Sequence, residues 1–306
     1  MNSPNGHAVR LQGIRKSYGS KLAVDDFDLE VPRATICGLL GPNGAGKTTT
    51  IRILLDIIGA DRGSVEVLGG RLTPEVRDRI GYLPEERGLY PKMRVLEHLV
   101  FLGAIKGADR QETEARAVAW LDRLELGAWA DKRVQDLSRG MQQKVQFIGT
   151  VLHEPELLVL DEPFSGLDPL NVDLLKQIVL EERDRGATVL FSTHNMDQAE
   201  RICERVVMIR QASKVLDGTL KEIKRDAWQE GQRRVLFAGD GDLSFLDDRS
   251  LVAGVQDNGT HLAVALADGV EPQELLQRAI RADVVVSRFE VSEPSLHEIF
   301  VARARG

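Results

Sequence analysis

Gly41-Pro42-Asn43-Gly44-Ala45-Gly46-Lys47-Thr48 sets three glycines, a lysine and a hydroxyl at the spacing of a phosphate-binding loop. Glycines let the backbone wrap so that its N–H groups point at phosphate oxygens. A helix that starts at the lysine adds the partial positive charge of its N-terminus. In that geometry Lys47 puts an ammonium on the outer phosphates of a nucleoside triphosphate such as ATP, and the Thr48 hydroxyl ligates Mg2+. The same chemistry needs a carboxylate at the end of an apolar strand, and Leu157-Leu158-Val159-Leu160-Asp161-Glu162 supplies two. Asp161 fits the Mg2+ role, usually through water, and Glu162 stands where it can polarise an attacking water.

These residues can work together only if regular elements hold them. Residues 34–40 form a short apolar run that ends in the glycine loop, and 47–58 has helical periodicity, which gives strand, loop and helix in order. Upstream, 9–31 alternates apolar and polar positions and reads as antiparallel strands, with further strands at 63–68 and 79–83. From 93 to 152 the pattern is helical without a convincing strand, which predicts an inserted helical subdomain. Residues 157–160 are too few for a helix. After them come a helix at 169–185, a strand at 187–192, a helix at 196–203 and a strand at 205–209. Strands alternating with helices predict an α/β fold whose mainly parallel sheet is covered on both faces. A charged stretch near 224–232 predicts a linker. Beyond it, short strands at 234–237, 251–255, 261–265 and 284–289, with helices at 272–281 and from 295, predict a small α+β domain. The chain thus divides into a leader at 1–7, a nucleotide-binding domain at 8–224, a linker at 225–232 and a C-terminal domain at 233–306.

Leu137-Ser138-Arg139-Gly140-Met141 opens a helix, with Ser138 as a natural N-cap and Met141, Val145, Ile148 and Leu152 on one face. A phosphate loop, then Leu-Ser-x-Gly, then an Asp-Glu strand about twenty residues later is the order found in ATP-binding cassette (ABC) ATPases, which this chain resembles. Ser165-Gly166-Leu167-Asp168 looks like the family's D-loop, Ser192-Thr193-His194 like its switch-histidine loop, and Tyr18 like the aromatic that stacks on adenine. The resemblance implies a P-loop NTPase fold of ABC type, with an antiparallel β subdomain and a helical subdomain beside the parallel sheet. Carried over residue by residue, it implies that Tyr18, Gly41 to Thr49 (Thr49 included), Ser138, Gly140 and Asp168 bind ATP. It also implies that Thr48, Asp161 and the residue at Glu85 attend Mg2+, and that Glu162 and His194 are catalytic. In the family two copies pack head to tail, so that Ser138 faces the γ-phosphate on the other copy. An ATP-dependent homodimer is therefore expected, together with a separate transmembrane permease subunit.

Two positions depart from the family pattern. The usual Leu-Ser-Gly-Gly-Gln is here Leu-Ser-Arg-Gly-Met, which keeps Ser138 and Gly140, the positions nearest phosphate. Glu85, in Leu83-Pro84-Glu85-Glu86-Arg87-Gly88-Leu89-Tyr90, stands where the family carries a glutamine beside Mg2+. This form resembles a subset of sodium-extrusion and drug-resistance exporter ATPases. Those also carry a small C-terminal domain ending much like Glu293-Pro294-Ser295-Leu296-His297-Glu298-Ile299-Phe300.

Other functions fit less well. A net charge of −7 argues against a dedicated nucleic-acid binder, so no nucleic-acid partner is expected. DNA-repair relatives insert a long coiled coil or a zinc module, whereas only about ninety residues without heptads or cysteine pairs separate Thr48 from Ser138. A translation factor would carry two cassettes, and a non-catalytic regulator would lack Lys47, Asp161, Glu162 or His194. A soluble mechanical ABC ATPase is the alternative to a transport motor. Cys37 and Cys203 have no metal-ligand spacing and are expected to be reduced, packed thiols. No apolar run approaches the roughly 18–20 residues that span a bilayer. The expected location is therefore cytoplasmic, peripheral to the cell membrane through the permease.

Overall fold

The computed structural model describes residues 6–86, 88–229 and 234–305. The chain divides into two compact units, 1–217 and 218–306.

The first unit is built on a six-stranded sheet. Its strands are β3 (Ile36–Leu40), β5 (Ile80–Leu83), β6 (Leu157–Asp161), β7 (Thr188–Thr193), β8 (Arg205–Arg210) and β9 (Ser213–Thr219), in the order β5-β6-β7-β3-β8-β9. Neighbours from β5 to β8 run parallel. Every residue of β3, β6 and β7 is buried, as expected of central strands covered on both faces. A two-residue turn with positive φ at both Gln211 and Ala212 folds β9 back along β8. A second sheet, in the order β2-β1-β4, pairs β1 (His7–Tyr18) antiparallel to β2 (Lys21–Pro32) and to β4 (Arg62–Val67).

Five of this unit's helices are α1 (Lys47–Leu54), α2 (Pro74–Asp78), α3 (Val95–Ile105), α4 (Arg110–Arg123) and α5 (Arg139–Val151). The other two are α6 (Pro169–Asp184) and α7 (Met196–Ile202). Helices α3 to α5 make up the helical subdomain, with Asp109 capping α4 through the Gln111 and Glu112 N–H groups at 2.9 and 3.0 Å. Helix α1 stops at Leu54, short of the apolar pattern, because Asp56 turns left-handed with φ 54°.

The second unit holds a four-stranded antiparallel sheet in the order β11-β12-β10-β13. Its strands are β10 (Arg234–Asp240), β11 (Val252–Asp257), β12 (Leu262–Leu266) and β13 (Val285–Ser292), and its helices are α8 (Leu220–Gln229), α9 (Pro272–Arg281) and α10 (Leu296–Arg305). Val235, Phe237, Val264, Leu266 and Leu275 form its core.

Three boundaries need correction. His7 belongs to β1, not to the expected leader, whose residues 1–5 lie outside those described. The charged stretch read as a linker at 225–232 is helical through residue 229. Its charges ride on the exposed side of α8, while Ile223 and Ala227, four apart, are buried, and 230–232 lie outside the described residues. Accordingly the first unit ends at 217 rather than 224.

Candidate functional site

The phosphate-loop residues follow the buried end of β3, and their backbone is one that only glycine tolerates. Gly41, Gly44 and Gly46 have φ of 154°, 77° and 117°. A Cβ on Gly41 would lie 2.2 Å from the Ile209 carbonyl oxygen, and one on Gly46 would lie 2.4 Å from that of Ala23. The loop is therefore wedged between β8 and β2 in a shape no other residue type could take. Ala45 N–H closes the loop on the Pro42 carbonyl at 3.2 Å, and Gly46 begins α1.

Lys47 is buried, 6% exposed, and its Nζ donates to the carbonyls of Gly41 at 2.8 Å and Pro42 at 3.3 Å. The same Nζ lies 3.6 Å from Glu162 Oε1. A lysine fixed under a glycine loop offers its charge to whatever anion the loop's N–H groups collect.

The parallel order β6-β7-β3 sets the ends of three strands side by side, so Asp161, Glu162 and the 192–194 segment all converge on the loop. Glu162 takes the left-handed conformation, φ 50°, unusual for a residue with a side chain. Its N–H donates to the Ser192 carbonyl at 3.1 Å. The Thr193 hydroxyl donates to Glu162 Oε2 at 3.2 Å, and His194 Nδ1 stands 2.9 Å from Oε1. The Ser192 hydroxyl donates to Asp161 Oδ1, while Asp161 Oδ2 is buried with no hydrogen-bond partner among the described residues. An orphaned carboxylate oxygen at the end of this strand is a donor that suits a hard, oxygen-seeking cation keeping several waters. Among the described residues no group of three His, Cys, Asp or Glu could hold a metal by itself.

One cavity of about 450 Å³ draws together the glycine loop, Tyr18, Glu85 and Glu162, while Asp161 and His194 do not line it. Asn43, Gly44, Gly46, Lys47, Thr48 and Thr49 form its floor, and Tyr18, Glu85 and Glu162 reach it from three other segments. Tyr18 ends β1 with half its surface open, 51%, which leaves a ring face free for stacking. Gly41, Pro42 and Ala45 support the loop from behind. Ser138, Gly140 and Asp168 do not line this cavity. Ser138 caps α5, its Oγ accepting from Met141 N–H at 3.3 Å, and a Cβ on Gly140 would lie 3.7 Å from Leu167 of the next loop. Asp168 caps α6 by accepting from Asn171 N–H at 3.1 Å, and that bond holds its carboxyl below the usual range.

Sequence reasoning did not single out Thr193 as a holder of Glu162, nor the buried amides of Gln143 and Gln146. A hydroxyl directly before the histidine at a strand end was the available signal for Thr193. Cys37 and Cys203 are free and buried, and burial pushes the Cys37 thiol up to about 12.

Comparison with known proteins places the chain in a family. Residues 24–165 match the family model described as ABC transporter, and 218–304 match that of the C-terminal domain of DrrA1-3-like ATP-binding proteins. An uncharacterised ABC transporter ATP-binding protein of Bacillus subtilis, YhaQ, is 41% identical over 295 residues, covering 96% of this chain and 98% of its own. The daunorubicin/doxorubicin resistance ATP-binding protein DrrA of Streptomyces peucetius is 31% identical over 309 residues, covering 99% of this chain and 94% of its own. A solved structure of the ATP-binding subunit of an ABC transporter superposes with a TM-score of 0.68 at 33% identity, covering 72% of this chain and 92% of that one.

The chain belongs to the ABC transporter ATP-binding proteins, a family of P-loop ATPases. Its second unit adds the C-terminal domain of the DrrA-like members, whose named relatives include drug-resistance proteins. No helix among the described residues is long and apolar enough to cross a membrane.

Proposed function

We propose that this chain is the ATP-hydrolysing subunit of an ABC-type exporter, working as an ATP-driven head-to-tail homodimer beneath a separate transmembrane permease. The observation that carries the reading is the grip on Glu162, whose carboxylate is held by Thr193 and His194 within 3.6 Å of the Lys47 ammonium. A carboxylate so fixed beside a phosphate loop can orient a water and accept its proton, which is what hydrolysis of the terminal phosphate requires.

The roles follow from position. The loop N–H groups and Lys47 bind the β- and γ-phosphates, Tyr18 stacks on the base, and His194 holds Glu162 in line with the γ-phosphate. Thr48 and Asp161 would hold Mg2+, with Glu85 near them, and the bound cation would supply charge neutralisation to the phosphates. Ser138, Gly140 and Asp168, which stay out of the cavity of their own chain, act on the nucleotide of the second copy. The Ser138 end of α5 offers that phosphate a helix N-terminus. ATP therefore joins two copies, and hydrolysis separates them.

Export rather than import is favoured by the drug-resistance relative and by the matching C-terminal domain. The test is purification from detergent-solubilised membranes with the partner identified. Recovery of a polytopic membrane subunit is expected, and recovery of the chain alone under ATP and vanadate would favour a soluble ATPase.

A further inference from the structure

Helix α5 buries two amide side chains one turn apart, Gln143 and Gln146, which are 7% and 6% exposed. Burying an amide is unfavourable unless its hydrogen bonds are made, so the destinations of these donors show what the helix holds. Gln143 Nε2 donates to the Pro163 carbonyl at 3.2 Å, directly after Glu162. Gln146 Nε2 donates to the Pro84 carbonyl at 3.1 Å and the Glu86 carbonyl at 3.3 Å, on either side of Glu85. Another turn along, the Thr150 hydroxyl donates to the Tyr82 carbonyl at 3.4 Å. Positions 143, 146 and 150 lie on one helix face. Gly81 makes the close approach possible, because a Cβ there would lie 2.3 Å from the Thr150 carbonyl oxygen. Gln146 Oε1 is buried without a hydrogen-bond partner among the described residues, and the two donated bonds orient the amide.

We propose that Gln146 is a positioning residue for Glu85 and Gln143 its counterpart for Glu162, so that α5 is a polar strut between Ser138 and the two acidic loops of its own site. Any displacement of the Ser138 end of α5 is then carried directly to the carboxylates, without passing through the apolar core. Only the catalytic consequence rests on the ATPase reading proposed above; the strut rests on hydrogen bonds within the chain.

Hydrogen exchange on the full-length, nucleotide-free protein tests it. Gln146→Met keeps the volume and removes both donated bonds. It should speed exchange in the 82–86 segment about tenfold, the equivalent of two neutral hydrogen bonds, and change the 162–165 segment by less than about twofold. Gln143→Met should do the reverse. Equal loosening of both segments by either variant, or an unchanged 82–86 segment in Gln146→Met, overturns the proposal. Should Gln146→Met lose its fold, Gln146→Ala, which also removes both donated bonds, carries the same expectation for 82–86. A steady-state ATPase arm keeps the functional reading separate. Gln146→Met should lower kcat about tenfold in the wild-type background and no further in a Glu85→Ala background. Additive losses would overturn the positioning role, whereas a wild-type protein without Mg-ATPase activity would overturn the functional reading and leave the exchange result standing.

Discussion

His194 Nδ1 stands 2.9 Å from Glu162 Oε1, and the Thr193 hydroxyl donates to Oε2 at 3.2 Å, so the end of β7 holds both oxygens of the carboxylate at the end of β6. Because Glu162 also sits in a left-handed backbone conformation, φ 50°, its direction is fixed from both ends of the side chain. His194→Ala releases one oxygen without touching the phosphate loop. Its kcat should fall by about 10²-fold while the KM for ATP moves less than about threefold. Phosphate-release kinetics give both numbers. A rise in KM alone would mean that His194 binds nucleotide and does not order Glu162.

Glu162→Gln keeps the shape of the carboxylate and removes its capacity to take a proton. ATP should then bind and stay, and gel filtration with Mg-ATP should show a species of twice the mass that falls apart when nucleotide is removed. A monomer at saturating Mg-ATP would contradict the shared site, in which Ser138 and Asp168 serve the other copy.

Glu85→Gln tests the acidic loop. A glutamate offers a hard cation a charged oxygen where glutamine offers a neutral one, but it also sets a negative charge beside the triphosphate and Glu162. Ligation is expected to win, because nucleotide and carboxylates meet only with the cation between them. The variant should need about three- to tenfold more Mg2+ for half-maximal ATPase while binding metal-free ATP as well or better. An unchanged Mg2+ titration would remove Glu85 from the metal site.

Much of the site was legible because it is made of strand ends. The glycine loop, Asp161-Glu162 and His194 stand at the ends of three fully buried strands, whose apolar stretches announce themselves in sequence. Pairing order does not: nothing in the residues of β6 and β7 says that they are neighbours, so the grip of Thr193 and His194 on Glu162 emerges only from the sheet. The amides of Gln143 and Gln146 were hidden because a helical pattern is read from its apolar positions, and a buried polar group is silent in it. Likewise the charges of α8 masked the Ile223 and Ala227 stripe that makes it a helix.

Two histidines of the first unit give it an acid sensitivity. Burial pushes His98 down to about 4, and its two ring nitrogens have no hydrogen-bond partner among the described residues. His153, whose Nε2 is 3.2 Å from the Ile80 carbonyl, is likewise pushed down to about 4, by burial first and then by Lys106. Because both folded values lie below the unfolded value near 6.5, the unfolded chain takes up protons that the native one refuses. Stability from these groups is whole above about pH 6.5 and is lost as pH falls towards 4, by roughly 3 kcal/mol for the fully buried His98. His98→Leu should flatten the dependence of the thermal midpoint on pH across that window, and a profile unchanged by the substitution would exclude His98 as its source.

The anion site under the glycine loop is expected to turn over ATP, with the Lys47 ammonium as its principal counter-charge. Phosphate release by the purified chain with saturating Mg-ATP, wild type against Lys47→Ala, addresses it without any assumption about cargo or partner. Steady turnover is expected for the wild type and a loss of at least about 10²-fold in Lys47→Ala, in keeping with the removal of one electrostatic stabiliser of the transition state. Undiminished turnover in Lys47→Ala would contradict it.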